Sequence, residues 1–149
     1  MRAIVQRVSR CCVRVDGEVI SKTGKGLLML LGVTHDDGEK EAAYIVDKVL
    51  NLRVFDDEDG KMNLSIMDVE GELMVVSQFT LYADTRKGRR PSYMQAAPPD
   101  KAEELYDRVC EEFDQAGFEP GRGIFGAYMQ VELQNDGPVT ILLESPSSL

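Results

Sequence analysis

Apolar and polar positions alternate from the start of the chain: Ala3 and Val5, then Val13, Val15 and Val19, with Asp16-Gly17 between the last two. Alternation of this kind marks a half-buried strand, and Asp-Gly between two such stretches marks a tight hairpin. Residues 27–33 (L-L-M-L-L-G-V) form a continuous apolar run, which predicts a strand buried on both faces. Asp36-Asp37-Gly38 then supplies turn and capping chemistry for a helix over 39–50, where Ala42, Ala43, Ile45, Val46, Val49 and Leu50 follow the 3.6-residue period. Residues 54–55 read as a short strand before the acidic turn 56–60, and 72–81 as a second buried strand running into Ser77. After a polar loop over 83–99, Asp100 can cap a helix over 101–116, with Leu105, Val109 and Phe113 as its stripe and Gly117 as its stop. Two last strands, 128–134 and 139–144, flank Asn135-Asp136-Gly137-Pro138, which reads as a hairpin turn. The Pro/Ser-rich tail 145–149 is expected to fray. This order of elements predicts an α/β fold: a single domain over 1–149, a layered sandwich of two β-sheets with two helices packed on one side.

Composition narrows the setting. At 149 residues, with 43% apolar and 29% charged positions, the chain matches one ordinary globular domain. Its start carries a second Arg by position 7 and no apolar core of a signal peptide, and no run is long enough to span a membrane. Of the three cysteines, Cys11 and Cys12 are adjacent, so reduced thiols and a cytoplasmic location are expected. The net charge of −9 speaks against an extended grip on nucleic acid, DNA included. Basic residues nevertheless gather at Arg86, Lys87, Arg89 and Arg90. That cluster is either a solvated loop or a local phosphate contact.

The simplest catalytic inventories fail. His35 is the single histidine, in a turn ahead of a helix, and no Cys-x-x-Cys pair supports a zinc site. In D-D-E-D-G, Gly60 as the sixth position of a calcium loop would place Phe55 first, and no phosphate-binding loop is present. No cofactor and no metal are expected. A thiol hydrolase on Cys12 or Cys110 would need His35 as its base. What remains is S-Q-F-T-L, residues 77–81, where Ser77, Gln78 and Thr80 bring polar groups to the end of a hydrocarbon strand. Such an end is either a strand leaving the core or a ligand-facing edge. In N-D-G-P-V-T, residues 135–140, Gly-Pro also tolerates a cis peptide that would turn two carbonyls to one side.

These two segments, about sixty residues apart, resemble the signature motifs of the D-aminoacyl-tRNA deacylases. The resemblance extends to M-R-A-I-V-Q-R-V at the start, G-L-L-M-L-L-G-V, G-K-M-N-L (60–64), K-G-R-R-P-S (87–92) and A-Y-M-Q-V ahead of the last turn. S-Q-F, rather than the P-Q-A of a related animal branch, and the lack of a Thr inserted before Pro138 are similar to the ordinary deacylase.

The resemblance implies hydrolysis of the ester joining a D-amino acid, or glycine, to the tRNA 3′ end, by a homodimer with active sites at the interface. It implies that Gly137-Pro138, in cis and followed by Val139 and Thr140, reaches into the partner's pocket and excludes L side chains, with Arg7 holding the motif. Ser77, Gln78, Phe79 and Thr80 would form the catalytic stretch, with backbone N–H groups near Phe79 and Thr80 as oxyanion donors and Thr80 positioning. Phe125 and Met129 would receive the terminal adenosine. The ribose 2′-hydroxyl of the tRNA would assist the attacking water.

Overall fold

The first alternating stretch becomes a 14-residue strand, β1 (Arg2–Val15), on which the other strands are built. The computed structural model describes residues 1–146. After β1 come β2 (Glu18–Thr23), β3 (Gly26–Gly32), helix α1 (Glu39–Asn51), β4 (Phe55–Asp56) and β5 (Met62–Leu64). They are followed by β6 (Glu72–Ser77), a 3-10 turn (Phe79–Tyr82), helix α2 (Pro99–Gln115), β7 (Gly121–Arg122) and β8 (Gln130–Glu144).

The Asp16-Gly17 hairpin forms as expected, both residues at positive φ (50° and 81°), as its tight turn requires. On one edge of β1, its first half pairs with β3 (Arg2↔Gly32 to Val8↔Gly26) and its second half with β2 (Cys11↔Thr23 to Val15↔Glu18). On the other edge β8 runs antiparallel along nearly its whole length. β6 lies parallel to β3, and β7 parallel to β6. Gly26 permits the first of these pairings, because a Cβ there would stand 1.7 Å from the Glu72 carbonyl oxygen.

The expected pair of stacked sheets is therefore corrected. Among the described residues six strands form one hydrogen-bonded sheet, and β4 and β5 pair apart from it. β1 is long enough to serve partners that would otherwise belong to two sheets. The sheet curls until β2 meets β7, where a Cβ on Gly121 would lie 2.7 Å from Ser21 Oγ.

Both faces are apolar, as the run at 27–33 foretold. Leu27, Met29 and Leu31 pack with Ala3, Val5, Leu73 and Val75 beneath the helices, against Ile45, Val49, Leu105, Val109 and Phe113. Leu28 points the other way, to Val8, Cys11, Val13, Met74 and Val76.

Three other boundaries differ from expectation. α2 begins at Pro99 rather than after Asp100, since proline at the first helical position needs no N–H and has its φ already set. Ahead of α1, Glu41 reaches back to the Gly38 N–H at 2.8 Å, while Asp37 accepts the buried Met1 amine at 2.7 Å instead of capping the helix. Ser145, placed in the fraying tail, is tied to Met1 through its N–H at 2.9 Å and its hydroxyl at 2.8 Å. Residues 147–149 of that tail lie outside the described residues.

The largest correction concerns residues 135–140. There is no hairpin: both flanking segments belong to β8 and pair with the same strand. Gln6 pairs with Thr140 and Val8 with Asn135, so the four residues 136–139 stand opposite Arg7 alone. This bulge also resets the alternation. Val131 and Leu133 pack with Val8 and Leu28, whereas Val139, Ile141 and Leu143 pack with the helix-side core. Period-2 geometry would have kept all five on one face.

Candidate active site

β6 ends where its register with β3 ends, at Leu31↔Ser77. Gln78 N–H still reaches the Leu31 carbonyl at 2.7 Å, and the chain then tightens, with Leu81 N–H on Gln78 O at 3.2 Å and Ala83 N–H on Thr80 O at 3.0 Å. The strand expected through residue 81 thus stops at Ser77, because polar Ser77 and Gln78 leave the hydrocarbon layer and the chain turns there. Among the described residues, the N–H groups of Phe79 and Thr80, which precede the turn's first internal bond, meet no backbone acceptor. The Gln78 side-chain amide donates to Thr80 Oγ1.

Beyond this turn opens a cavity of about 790 Å³. One wall is Leu31, Val76, Ser77, Gln78 and Phe79, another is the start of α2 with Ala102 and Tyr106, and a third is the stretch from Phe125 through Met129. Tyr106 donates its hydroxyl to the Val75 carbonyl at 2.7 Å, and burial pushes its phenol above the ordinary range. Its ring backs Phe125 at a centroid distance of 6.2 Å and carries the Arg122 guanidinium 5.2 Å from its centroid. Arg122 is in turn paired with Asp107. Met129 approaches the backbone so closely that a Cβ on Gly123 would fall 2.5 Å from its sulfur.

The loop over 83–98 closes the cavity from the side. Thr34 Oγ1 donates to Gln95 O at 2.5 Å, Ala97 N–H to Val33 O at 2.9 Å, and His35 Nε2 lies 2.7 Å from Met94 O. His35 thus pins a loop and does not line the cavity. In the same loop Arg86 holds Asp84 well below the usual carboxylate range, at about 2, through a 2.7 Å ion pair. Among the described residues, Lys87, Arg89 and Arg90 form no ion pair.

The remaining expected residues form a second cluster. Arg7 donates from Nε to Asp136 O and from Nη1 to Val54 O, both at 2.7 Å, and lies 3.5 Å from Asp56. Asn135 closes the bulge from within: its Oδ1 accepts the Val139 N–H at 2.7 Å and its amide donates to Thr140 Oγ1 at 3.0 Å. Gly137-Pro138 is cis, and Gly137 has φ of +150°. Gly137, Pro138 and Thr140 are exposed, and Val139 is half-buried.

The structure therefore brings Ser77, Gln78, Phe79, Phe125 and Met129 around one cavity. It does not bring Arg7, Gly137, Pro138, Val139 or Thr140 there, nor does the Thr80 side chain border it. Sequence reasoning missed Tyr93, Tyr106 and Tyr128 on the walls. Tyr106 was legible as an aromatic with a polar tip beside an otherwise hydrocarbon helix stripe. Tyr128 stands inside the quoted A-Y-M-Q-V, but nothing in its pattern separated it from a core aromatic.

All three cysteines are buried, none borders the cavity, and burial pushes the Cys11 and Cys110 thiols up to about 11. Such thiols are poor nucleophiles at neutral pH. Among the described residues, no group of three or more His, Cys, Asp or Glu could hold a metal ion, and no helix is long and apolar enough to cross a membrane.

The architecture is one that solved structures share. A solved structure described as a probable eukaryotic D-amino acid tRNA deacylase matches with a TM-score of 0.84 over 95% of this chain and 97% of that one; at 16% identity the likeness is of fold alone. Sequence carries the assignment further: the family model for D-Tyr-tRNA(Tyr) deacylase matches residues 4–144, and the chain belongs to that family. The D-aminoacyl-tRNA deacylase of Clostridioides difficile (strain 630) is 57% identical, covering 99% of each chain, and that of Thermosipho africanus (strain TCF52B) is 54% identical over 97% of each. A solved structure described as c-Myc DNA Unwinding Element Binding Protein is 48% identical, with a TM-score of 0.93 over 99% of this chain and 100% of that one. Family membership makes the chain an enzyme, a hydrolase of the D-aminoacyl-tRNA deacylase kind.

Proposed function

We propose that this chain, as one domain over residues 1–149, proofreads chirality on tRNA in the cytoplasm. It hydrolyses the ester joining a D-amino acid, or glycine, to the 3′ end, releasing the free amino acid and the tRNA. The observation that carries the reading is the convergence of Ser77, Gln78, Phe79, Phe125 and Met129 on one cavity at the end of β6, in a chain of this family.

An aminoacyl ester is already activated, so the enzyme has mainly to position it and stabilise the oxyanion. The N–H groups of Phe79 and Thr80, without backbone acceptors among the described residues, are the donors for that charge. Thr80 holds the turn through Gln78 rather than attacking, since among the described residues no imidazole or other base bonds to it. The substrate's own 2′-hydroxyl then assists the water. The terminal adenosine lies against Phe125 and Met129.

Arg7, Gly137, Pro138, Val139 and Thr140 serve a second copy of the chain. Gly137, Pro138 and Thr140 stand exposed on β8, with half-buried Arg7 of β1 and Val139 beneath them and all five away from their own cavity, which supports a homodimer in which each bulge completes the partner's site. Rigid backbone carbonyls there face the substrate's ammonium group and leave no room for an L side chain, so selectivity comes from clash. A net charge of −9 fits a substrate held by its last nucleotides, and DNA is not among the proposed partners.

Incubation with D-Tyr-tRNA and L-Tyr-tRNA, following loss of the amino acid, tests the reading. Release from the D substrate alone is expected. Release from both would remove chiral exclusion, and binding without release would leave a module that only holds the 3′ end.

A further inference from the structure

Burial alternates along residues 121–130, so Phe125, Ala127 and Met129 turn inward while Ile124, Gly126 and Tyr128 turn out. Tyr128 is 86% exposed and yet borders the cavity. Across the mouth, exposed Phe79 meets Tyr93 edge-on at a centroid distance of 5.1 Å. Among the described residues Tyr128 has neither an aromatic partner nor a hydrogen bond through its hydroxyl. An aromatic ring left this bare forgoes burial worth more than most side chains can offer. At a cavity mouth the ring is available to a ligand that continues past the cavity.

We infer that Tyr128 is a stacking platform for the penultimate nucleotide of the tRNA, the one that precedes the terminal adenosine. The inference rests on the proposed reading of the cavity and extends it by one nucleotide. If the last nucleoside occupies the cavity against Phe125, the chain of nucleotides leaves through the mouth, where the next base meets Tyr128. Stacking suits a protein of net charge −9: it holds a base by its π-face and needs no positive charge to do so. It is also tolerant of base identity, as a contact to a common 3′ end must be.

The test compares D-tyrosine esterified to adenosine, to the dinucleotide CpA, to CpA with an abasic first residue, and to tRNA. Stacking on an aromatic residue has an alanine-substitution cost that converts to roughly 5- to 150-fold in affinity. Tyr128→Ala should raise KM by that factor for CpA and tRNA esters, with kcat unchanged. The adenosine and abasic esters, which offer no second base to stack, should lose far less than the CpA and tRNA esters, and Tyr128→Phe should behave as wild type. Equal losses on all four substrates, or none on any, would overturn the inference, as would a Tyr128→Ala variant whose sedimentation shows a changed oligomeric state. Should the wild-type protein cleave none of the esters, the deacylase reading fails instead. Binding of uncharged CpA then decides the platform: weakening by Tyr128→Ala supports it, and unchanged binding overturns it.

Discussion

Arg7 Nε donates to the carbonyl of Asp136 at 2.7 Å, and this bond joins the first strand to the bulge that interrupts the last. The same guanidinium reaches Val54 O at 2.7 Å and lies 3.5 Å from Asp56, so one half-buried side chain ties β1, β4 and β8 together. The bulge leans on it closely: a Cβ on Gly137 would come 3.3 Å from Arg7 Nη2. No neutral side chain offers five donors in a planar fork, and lysine cannot copy the geometry.

Arg7→Ala should therefore loosen residues 136–139 more than it unfolds the protein. Charge-assisted bonds to two carbonyls suggest a loss of about 2 kcal/mol in denaturant unfolding. Deacylation of D-Tyr-tRNA should fall at least about 10-fold, since a small misplacement of a positioning group is costly. Arg7→Lys should recover stability in part and activity hardly at all. Wild-type rates in Arg7→Ala would detach the bulge from the site.

Much of the fold was legible because local pattern and burial agreed. The run at 27–33 had to be buried on both faces, and Asp16-Gly17 had to turn. The helix stripes at Ile45–Val49 and Leu105–Val109–Phe113 did reach the core. The sheet count was not legible, because nothing in β1 reveals that both its edges are used. Asn135–Pro138 misled for a related reason: turn chemistry and bulge chemistry use the same residues, and only pairing partners distinguish them. At the candidate site, polar Ser77 and Gln78 after hydrocarbon pointed to a strand end. The aromatic rim did not announce itself, since a tyrosine at a cavity mouth and a tyrosine in a core look alike in sequence.

Thr80 separates positioning from covalent chemistry. Its hydroxyl accepts from the Gln78 amide and, among the described residues, meets no base. Thr80→Ala should lower kcat by about 10-fold, the scale of a lost positioning contact, whereas loss of a true nucleophile costs about 10⁴-fold or more. Single-turnover reactions of Thr80→Ala and Thr80→Ser on D-Tyr-tRNA measure this. A rate abolished in the first and preserved in the second would make Thr80 the nucleophile.

The buried thiols set a limit at alkaline pH. Burial raises Cys11 and Cys110 from 9.0 to about 11, so the folded state keeps protons that the unfolded chain releases. Stability from this source is complete below about pH 9 and is lost as pH rises through 11. Tyr82 and Tyr106, raised by burial as well, act in the same direction at higher pH. Urea midpoints should be flat from pH 7 to 8.5 and decline steadily from 9 to 11, while iodoacetamide at pH 7 should leave deacylation unchanged. A flat profile to pH 11 would show that the thiols ionise freely in the folded protein.

Arg89 and Arg90 decide how an acidic protein meets tRNA. Arg86 is engaged by Asp84, whereas these two are exposed and, among the described residues, unpaired. They sit four and three residues ahead of Tyr93, which lines the cavity. A phosphate contact there contributes affinity by releasing counterions, and so must weaken with salt. Arg89→Glu with Arg90→Glu should weaken tRNA binding and flatten the slope of log K against log salt by roughly one per contact removed. Cleavage of D-tyrosyl-adenosine, which has no phosphate to meet, should be unaffected. Unchanged affinity at low salt would leave the patch a solvated loop. A matching loss on the adenosine ester would mean that the substitutions had disturbed the cavity rather than the approach of the tRNA.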